Sequence, residues 1–349
     1  MRKVISIILI VTFICTSFCG CANNQTITSL EKFSDVIFDA FDTVITITAY
    51  CKDESEFAEL FDYAAGEFVR YHRLYDIYNS YPGITNVKDV NDQAANAPVS
   101  VNREIIDLIS FGKTMYSETD GKVNIAMGSV LKLWHDAREK AINDKIGLIP
   151  EQEVLKAAAA HCDFEDVIID AQKNTVYFND SELKLDVGAI AKGYATEKVM
   201  DGLVDLGFDH VLINAGGNVK THGFKPDNAK WTIGIQDPDV KSGETYVKTV
   251  KVESNSVVTS GVYERNFVAN GKTYHHIIDP DTLMPEDRFL SVSIITENSA
   301  TADALSTAVF NMDLTTGKIF IESLPGVEAM WILNDKSQEC TSGFEAYLK

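Results

Sequence analysis

Helix-spaced and strand-alternating segments follow one another along this 349-residue chain without the strict strand-helix repeat of a doubly wound sheet, and that order limits its folds. Residues 37–50, IFDAFDTVITITAY, alternate apolar and Thr side chains, which predicts a strand or hairpin. Residues 54–75 repeat apolar side chains at spacings of three and four, the mark of an amphipathic helix. A Pro82-Gly83 turn and an Asn/Ala-rich loop come next, then a helix over 101–115 with Asn102 as its cap. Residues 121–137 read as a short strand turning into a third helix, and a charged region over 138–151 leads to a fourth. Two or three antiparallel strands are expected over 166–188, a helix over 189–207, and a buried strand ending in glycines over 210–217. Strands then dominate 231–295 before a helix over 301–312. The predicted fold is α+β, with mainly antiparallel sheets and flanking helices. A content of 45% hydrophobic and 23% charged residues gives enough apolar surface for a core and argues against disorder or a coiled coil.

The first twenty residues form a unit of their own. Arg2 and Lys3 precede a mostly apolar stretch over 4–18, closed by Gly20 and Cys21, the layout of a signal peptide. The stretch is shorter than the ~20 apolar residues a membrane span needs. Its end, SFCGC, resembles a bacterial lipobox, in which the cysteine after a small residue receives diacylglycerol, so Cys21 is the expected lipidated first residue. Residues 21–34 then serve as a tether and 35–349 as the folded domain. Without the leader, 29 basic residues stand against 51 acidic ones, a charge of about −22 that argues against nucleic-acid binding. Beyond Cys21 only Cys51, Cys162 and Cys340 remain, too few and too scattered for a disulfide framework, and each reads as a small buried side chain.

Three stretches carry chemistry. In KLDVGAIAKGYA, residues 184–195, a strand runs through Gly188 into a helix opening near Ala189, and a helix start with Lys192 in its first turn suits a pyrophosphate. Asp186 would accept hydrogen bonds from a ligand, or would only brace the turn. In the segment over 301–312, Asp303 and Thr307 lie four apart on one helix face, where a carboxylate and a hydroxyl match Mg²⁺ as well as Asp303 matches the helix dipole. In HHIIDPDT, residues 275–282, His276 is a candidate base or phosphate contact, or a packed strand histidine. Neither GxxxxGK[ST] nor GxGxxG occurs.

Taken together, IYNSYPG, VNIAMGSVLKLW, LDVGAIAKGYA, LINAGGNV, VTSGVYER, HHIIDPDT and TADALSTAVF occur in an order that resembles the ApbE family of FAD:protein FMN transferases, often membrane lipoproteins. The resemblance runs from about Val36 to the C-terminus. It implies an α+β fold related to the T-fold, with FAD in a cleft between two halves of one domain. By position it implies FAD contacts at Phe41, Tyr78, Ala126, Met127, Gly128, Asp186, Lys192 and Ile278. It also implies a Mg²⁺ site at the Ala189 carbonyl, Asp303 and Thr307, with Ser306 where some relatives have a further Asp.

The activity implied is Mg²⁺-dependent cleavage of FAD at its pyrophosphate, joining FMN to a Thr or Ser hydroxyl of a target protein and releasing AMP, with His276 as general base. Expected acceptors are subunits of sodium-pumping quinone reductase, Rnf-type complexes or extracytoplasmic reductases, met on the outer face of the bacterial membrane. Two rival readings use the same site: an FAD pyrophosphatase, in which water replaces the acceptor hydroxyl, and an FAD-binding lipoprotein without chemistry. The Asp303 and Thr307 pair speaks against the carrier, because binding alone does not require a metal at the pyrophosphate.

Overall fold

A computed structural model describes residues 30–239 and 243–348. The expected leader over 1–20 and the lipidation site Cys21 lie outside the described residues. The chain order is β1 (Glu31–Ala40), β2 (Thr43–Cys51), α1 (Glu54–Tyr75), α2 (Val87–Gln93), β3 (Val99–Ser100), α3 (Arg103–Glu118), α4 (Gly128–Asn143), α5 (Gln152–Ala159), β4 (Val167–Asp170) and β5 (Thr175–Phe178). It continues with α6 (Ala191–Asp205), β6 (Val211–Ala215), β7 (Asn218–His222), β8 (Trp231–Gln236), β9 (Tyr246–Val252), β10 (Ser256–Gly261), β11 (Asn266–Ala269) and β12 (Lys272–His275). Last come β13 (Phe289–Thr296), α7 (Ser299–Phe310), α8 (Leu314–Glu322), β14 (Glu328–Leu333) and β15 (Gln338–Cys340).

Eight strands form the main sheet in the order β1-β2-β6-β7-β10-β13-β14-β15, every pairing antiparallel, as the irregular order of segments predicts. Helices α1, α6 and α7 pack together on one face of this sheet. α1 starts at Asp53, whose side chain accepts from Glu56 N–H, and buries Phe57, Leu60, Ala64, Phe68 and Tyr71 at helical spacing. α7 is buried on almost all sides, which fits its Ala-rich sequence: small side chains let it lie against both α6 and strands β10 and β13. On the other face, the β8–β9 hairpin sets Trp231, Ile233, Ile235, Val250 and Val252 on Val219, Val257, Ile295 and Met330. A third cluster, with Val130, Trp134, Phe267 and Leu283, ties α4 to the β11–β12 hairpin.

Several local expectations need correction. β1 begins at Glu31, inside the stretch read as tether, and Phe33 stacks on Phe57 of α1 with ring centroids 5.5 Å apart, so residues 31–34 belong to the sheet. The strand expected before Gly188 is reduced to a single parallel bridge between Lys184 and Met127, and α6 starts at Ala191, two residues later than anticipated. Asn102 precedes α3 without a side-chain capping bond. Cys51 is buried, but Cys162 and Cys340 are only half-buried. Among the described residues no helix is long and apolar enough to cross a membrane.

Candidate functional site

A cleft of about 590 Å³, within the usual size range of ligand pockets, opens where two hairpin turns, the start of α6, and helices α4 and α7 meet. Its edge includes the β1–β2 turn, in which Phe41 (φ 55°) and Asp42 (φ 51°) both adopt left-handed backbone, as a two-residue hairpin of this twist requires. The Phe41 N–H donates to His72 Nδ1 at 3.2 Å and its ring meets the His72 ring edge-on. The neighbouring β6–β7 turn uses Gly216 (φ 57°) and Gly217 (φ 83°). A Cβ at Gly216 would fall 2.1 Å from Thr43 Oγ1, so the glycines of NAGGN both turn the corner and let the two hairpins touch.

The deepest polar corner lies between α6 and α7. Gly193, the third residue of α6, carries one of the orphan N–H groups of a helix start and donates it to Asp303 Oδ2 at 2.8 Å. The carbonyl of Ala189, four residues earlier, is therefore not taken up by that N–H. The two helices approach so closely that a Cβ at Gly193 would lie 2.4 Å from the Ser299 carbonyl oxygen and 2.5 Å from Asp303 Cβ. Asp303 is buried, which raises its carboxyl pKa, and among the described residues no basic side chain comes within ion-pair distance of it. A buried carboxylate without a paired cation, one turn of helix from Thr307 and across from a spare carbonyl, is an oxygen donor set of the kind that suits a hard divalent ion. Ser306 is turned away, bonded to Ser260 Oγ at 2.7 Å and donating to the Asp303 carbonyl at 2.8 Å, so it is committed elsewhere.

The opposite wall is aromatic and basic. Asp76 accepts from Tyr78 N–H (2.6 Å), Asn79 N–H (3.1 Å) and Tyr81 O–H (2.7 Å), fixing the loop that carries Tyr78. Burial alone would raise the Asp76 carboxyl, but these bonds outweigh it and hold its pKa below the ordinary value. Tyr78 stacks on His135 of α4 with centroids 4.9 Å apart, and Arg138, one turn on, reaches His135 Nδ1 at 3.1 Å. Asp186 Oδ1 accepts from Gly188 N–H at 2.9 Å, so one oxygen does brace the turn, while burial raises the carboxyl's pKa. His275 is buried, its Nε2 bonded to the Glu286 carbonyl and its Nδ1 accepting from Ile277 N–H, whereas His276 turns its ring into the cleft. The cleft walls, then the cations Arg265, Lys192 and Arg138 together with His275, hold the His276 pKa far below its usual range, so the ring is neutral.

The fold thus brings Phe41, Tyr78, Met127, Asp186, Ala189, Lys192, His276, Ile278, Asp303 and Thr307 to one cleft, although they are spread over most of the chain. Two expected contacts fall outside it. Ala126 is fully buried with its N–H on Asn124 Oδ1. Gly128 opens α4 with its N–H on the Lys184 carbonyl, where a Cβ would meet that oxygen at 2.5 Å, so the glycine allows close packing of α4 on that segment. The cleft also holds groups the sequence reading missed: Lys122, His135, Arg138, Glu264, Arg265 and Asn311. Arg265 had a signal, since it ends the quoted block VTSGVYER; His135 and Arg138 had only their spacing on α4.

Comparison with known proteins bears on this arrangement. The ApbE family profile matches residues 41–331. The chain is 35% identical over 268 residues to an FAD:protein FMN transferase of Treponema pallidum, covering 73% of this chain and 72% of that protein. With an FAD:protein FMN transferase of Klebsiella pneumoniae it shares 32% over 257 residues, covering 72% and 76%. In structure it resembles an ApbE protein of Thermotoga maritima, with TM-score 0.80, 28% identity, and coverage of 91% of this chain and 100% of that one. A flavin transferase ApbE of Vibrio cholerae, with TM-score 0.76, 22% identity and the same coverage, shares the fold. The family match over most of the chain, these two relatives and the shared fold agree, and the chain belongs to the ApbE family.

Proposed function

We propose that the chain transfers FMN from FAD to a Thr or Ser hydroxyl of a membrane or extracytoplasmic redox protein, in a Mg²⁺-dependent reaction that releases AMP. The observation that carries this reading is the α6–α7 corner, where Asp303 holds Gly193 N–H and leaves the Ala189 carbonyl spare beside Lys192. Ala189, Asp303 and Thr307 would hold the ion, which when bound supplies positive charge against the pyrophosphate oxygens. Lys192 and the start of α6 add their own positive potential on the same side. Met127, Ile278 and Phe41 offer apolar surface to the flavin, and the Tyr78–His135 stack offers a flat wall to a ring system. His276, whose ring lies in the cleft, would take the proton of the acceptor hydroxyl as its oxygen bonds to the FMN phosphorus.

The expected setting is the outer face of a bacterial membrane, with the chain anchored through Cys21 and acting on subunits of sodium-pumping quinone reductase, Rnf-type complexes or extracytoplasmic reductases. The test mixes the chain, FAD, Mg²⁺ and such a subunit, and reads flavin fluorescence of the denatured acceptor in a gel. A fluorescent acceptor band supports the reading. AMP and free FMN without a labelled acceptor replace it with a pyrophosphatase, and intact FAD replaces it with a carrier.

A further inference from the structure

Four basic side chains line the cleft: Lys122, Arg138, Lys192 and Arg265. Two are occupied. Lys122 donates to Asp279 Oδ1 (3.0 Å) and Asp281 Oδ2 (2.7 Å), and Arg138 leans on His135 and, at 3.5 Å, on Glu139. Lys192 belongs to the start of α6. Among the described residues neither Lys192 nor Arg265 donates a side-chain hydrogen bond, and the nearest carboxylate to the Arg265 guanidinium is Asp42 Oδ2, at 3.9 Å on the exposed β1–β2 turn. The Arg265 backbone is nevertheless fixed. The turn between β10 and β11 is braced by Val262 N–H on the Leu290 carbonyl (3.0 Å) and by Asn266 Nδ2 on the Val262 carbonyl (2.9 Å). A held backbone thus brings a guanidinium free of hydrogen bonds to the rim of the cleft that also contains His276 and Asp186, and both of those residues feel Arg265 as a neighbouring positive charge.

We infer that Arg265 is a further catalytic residue, whose guanidinium donates to the non-bridging oxygens of the FMN phosphoryl group while that group passes from AMP to the acceptor hydroxyl. The inference rests on the transferase reading. In the step, the acceptor oxygen forms a bond to the FMN phosphorus, the bond from that phosphorus to the bridging oxygen breaks, and AMP leaves with the electron pair. The hydroxyl proton goes to His276. Charge spreads over the phosphoryl oxygens at mid-transfer, and a planar fork of N–H donors matches them in pairs where an ammonium meets them as a point. Lys192, on α6, faces the corner with Asp303; Arg265 approaches from the β10–β11 turn, on the side of the proton acceptor. The two cations thus reach the cleft from different elements.

The alternative is a structural role, in which Arg265 only staples the β1–β2 turn through Asp42. Four proteins separate the two: wild type, Arg265→Gln, Arg265→Lys and Asp42→Asn, each assayed for AMP release from FAD with Mg²⁺ and a quinone-reductase acceptor subunit, with thermal melting alongside. Arg265→Gln is expected to lower kcat about 10²- to 10³-fold, the range seen when a donor to a developing oxyanion is removed, with KM for FAD changed less than about threefold. Arg265→Lys recovers part of kcat, and Asp42→Asn, which suits the left-handed turn, leaves kcat as in wild type. Equal losses in Arg265→Gln and Asp42→Asn, or a rise in KM with kcat kept, overturn the catalytic assignment while the transferase reading stands. A wild-type protein that releases no AMP overturns both.

Discussion

The contact between α6 and α7 through Gly193 is the tightest constraint on the proposed metal corner, and replacing that glycine by alanine tests it. Three effects compete. Alanine is favoured over glycine within a helix by about 1 kcal/mol, which alone would stabilise the variant. Against this, the new methyl group would sit 2.4 Å from the Ser299 carbonyl oxygen and 2.5 Å from Asp303 Cβ, neither of which is the free end of a flexible chain. Moving α6 away by the ångström or so needed resembles overpacking, at about 1–3 kcal/mol. The movement also stretches the 2.8 Å bond from Gly193 N–H to the buried Asp303 carboxylate, a hydrogen bond to a charged group worth about 1.5–3 kcal/mol. The net expectation is a loss of about 2–4 kcal/mol, read from the urea midpoint at constant m-value. Gly66→Ala is the matched control: Gly66 lies within α1, where a Cβ would meet nothing within 4 Å, so the same substitution should leave stability unchanged or raise it by up to ~1 kcal/mol. FAD cleavage should fall in Gly193→Ala and persist in Gly66→Ala. A Gly193→Ala protein as stable and as active as wild type would refute the close helix contact and the corner built on it.

Other consequences are more local. The Asp76 carboxyl has its pKa held below the ordinary carboxylate value, so its stabilising contribution is present above about pH 4 and is lost as pH falls through the lowered value. Asp76→Ala should therefore melt below wild type at pH 7, by about 1–3 kcal/mol for the donors it leaves unsatisfied, with the gap closing in acid; a gap that widens on acidification would contradict the sign. Asp42 holds φ 51° in the β1–β2 turn, a conformation glycine adopts freely, so Asp42→Gly should raise stability by roughly 0.5–1 kcal/mol in a thermal melt. A lowered melting temperature would mean that Asp42 makes a stabilising contact stronger than its 3.9 Å approach to Arg265.

Much of this architecture was legible because periodicity is a local signal. The apolar stripe of α1 and the small-residue run of α7 were readable without any tertiary information, and so was the antiparallel character of the sheet, since no strand-helix alternation was present. α2 does not stand out from loop because VKDVNDQ spans fewer than two turns, although Asn86 and Asp89 form a reciprocal capping box. The start of β1 carries little signal because Glu31 to Asp35 are mostly polar: over those residues an edge strand needs only Phe33 to pack inward. The apolar residues of α8, β14 and β15 give no clean period of two or 3.6 over so short a span. At the site, sequence blocks identified most of the residues that converge. They do not separate the residues that line the cleft from those that pack beneath it, such as Gly128 and Ala126. Nor did they find the basic wall. Arg138 and Lys122 gain meaning only when distant segments place them around one space, and whether a cation is free or already paired depends on contacts across more than a hundred residues, such as Lys122 with Asp279.

The most direct test of the proposed corner is the Mg²⁺ dependence of AMP release in Asp303→Asn, compared with wild type at matched FAD concentration. The asparagine keeps an oxygen for Gly193 N–H, so the helices stay in contact, but it removes the charge that would hold the ion. Asp303→Asn is expected to fold with wild-type melting behaviour in the absence of metal and to release AMP at least ~100-fold more slowly at millimolar Mg²⁺. An Asp303→Asn protein that cleaves FAD with the wild-type rate and the same Mg²⁺ titration would contradict the proposed corner.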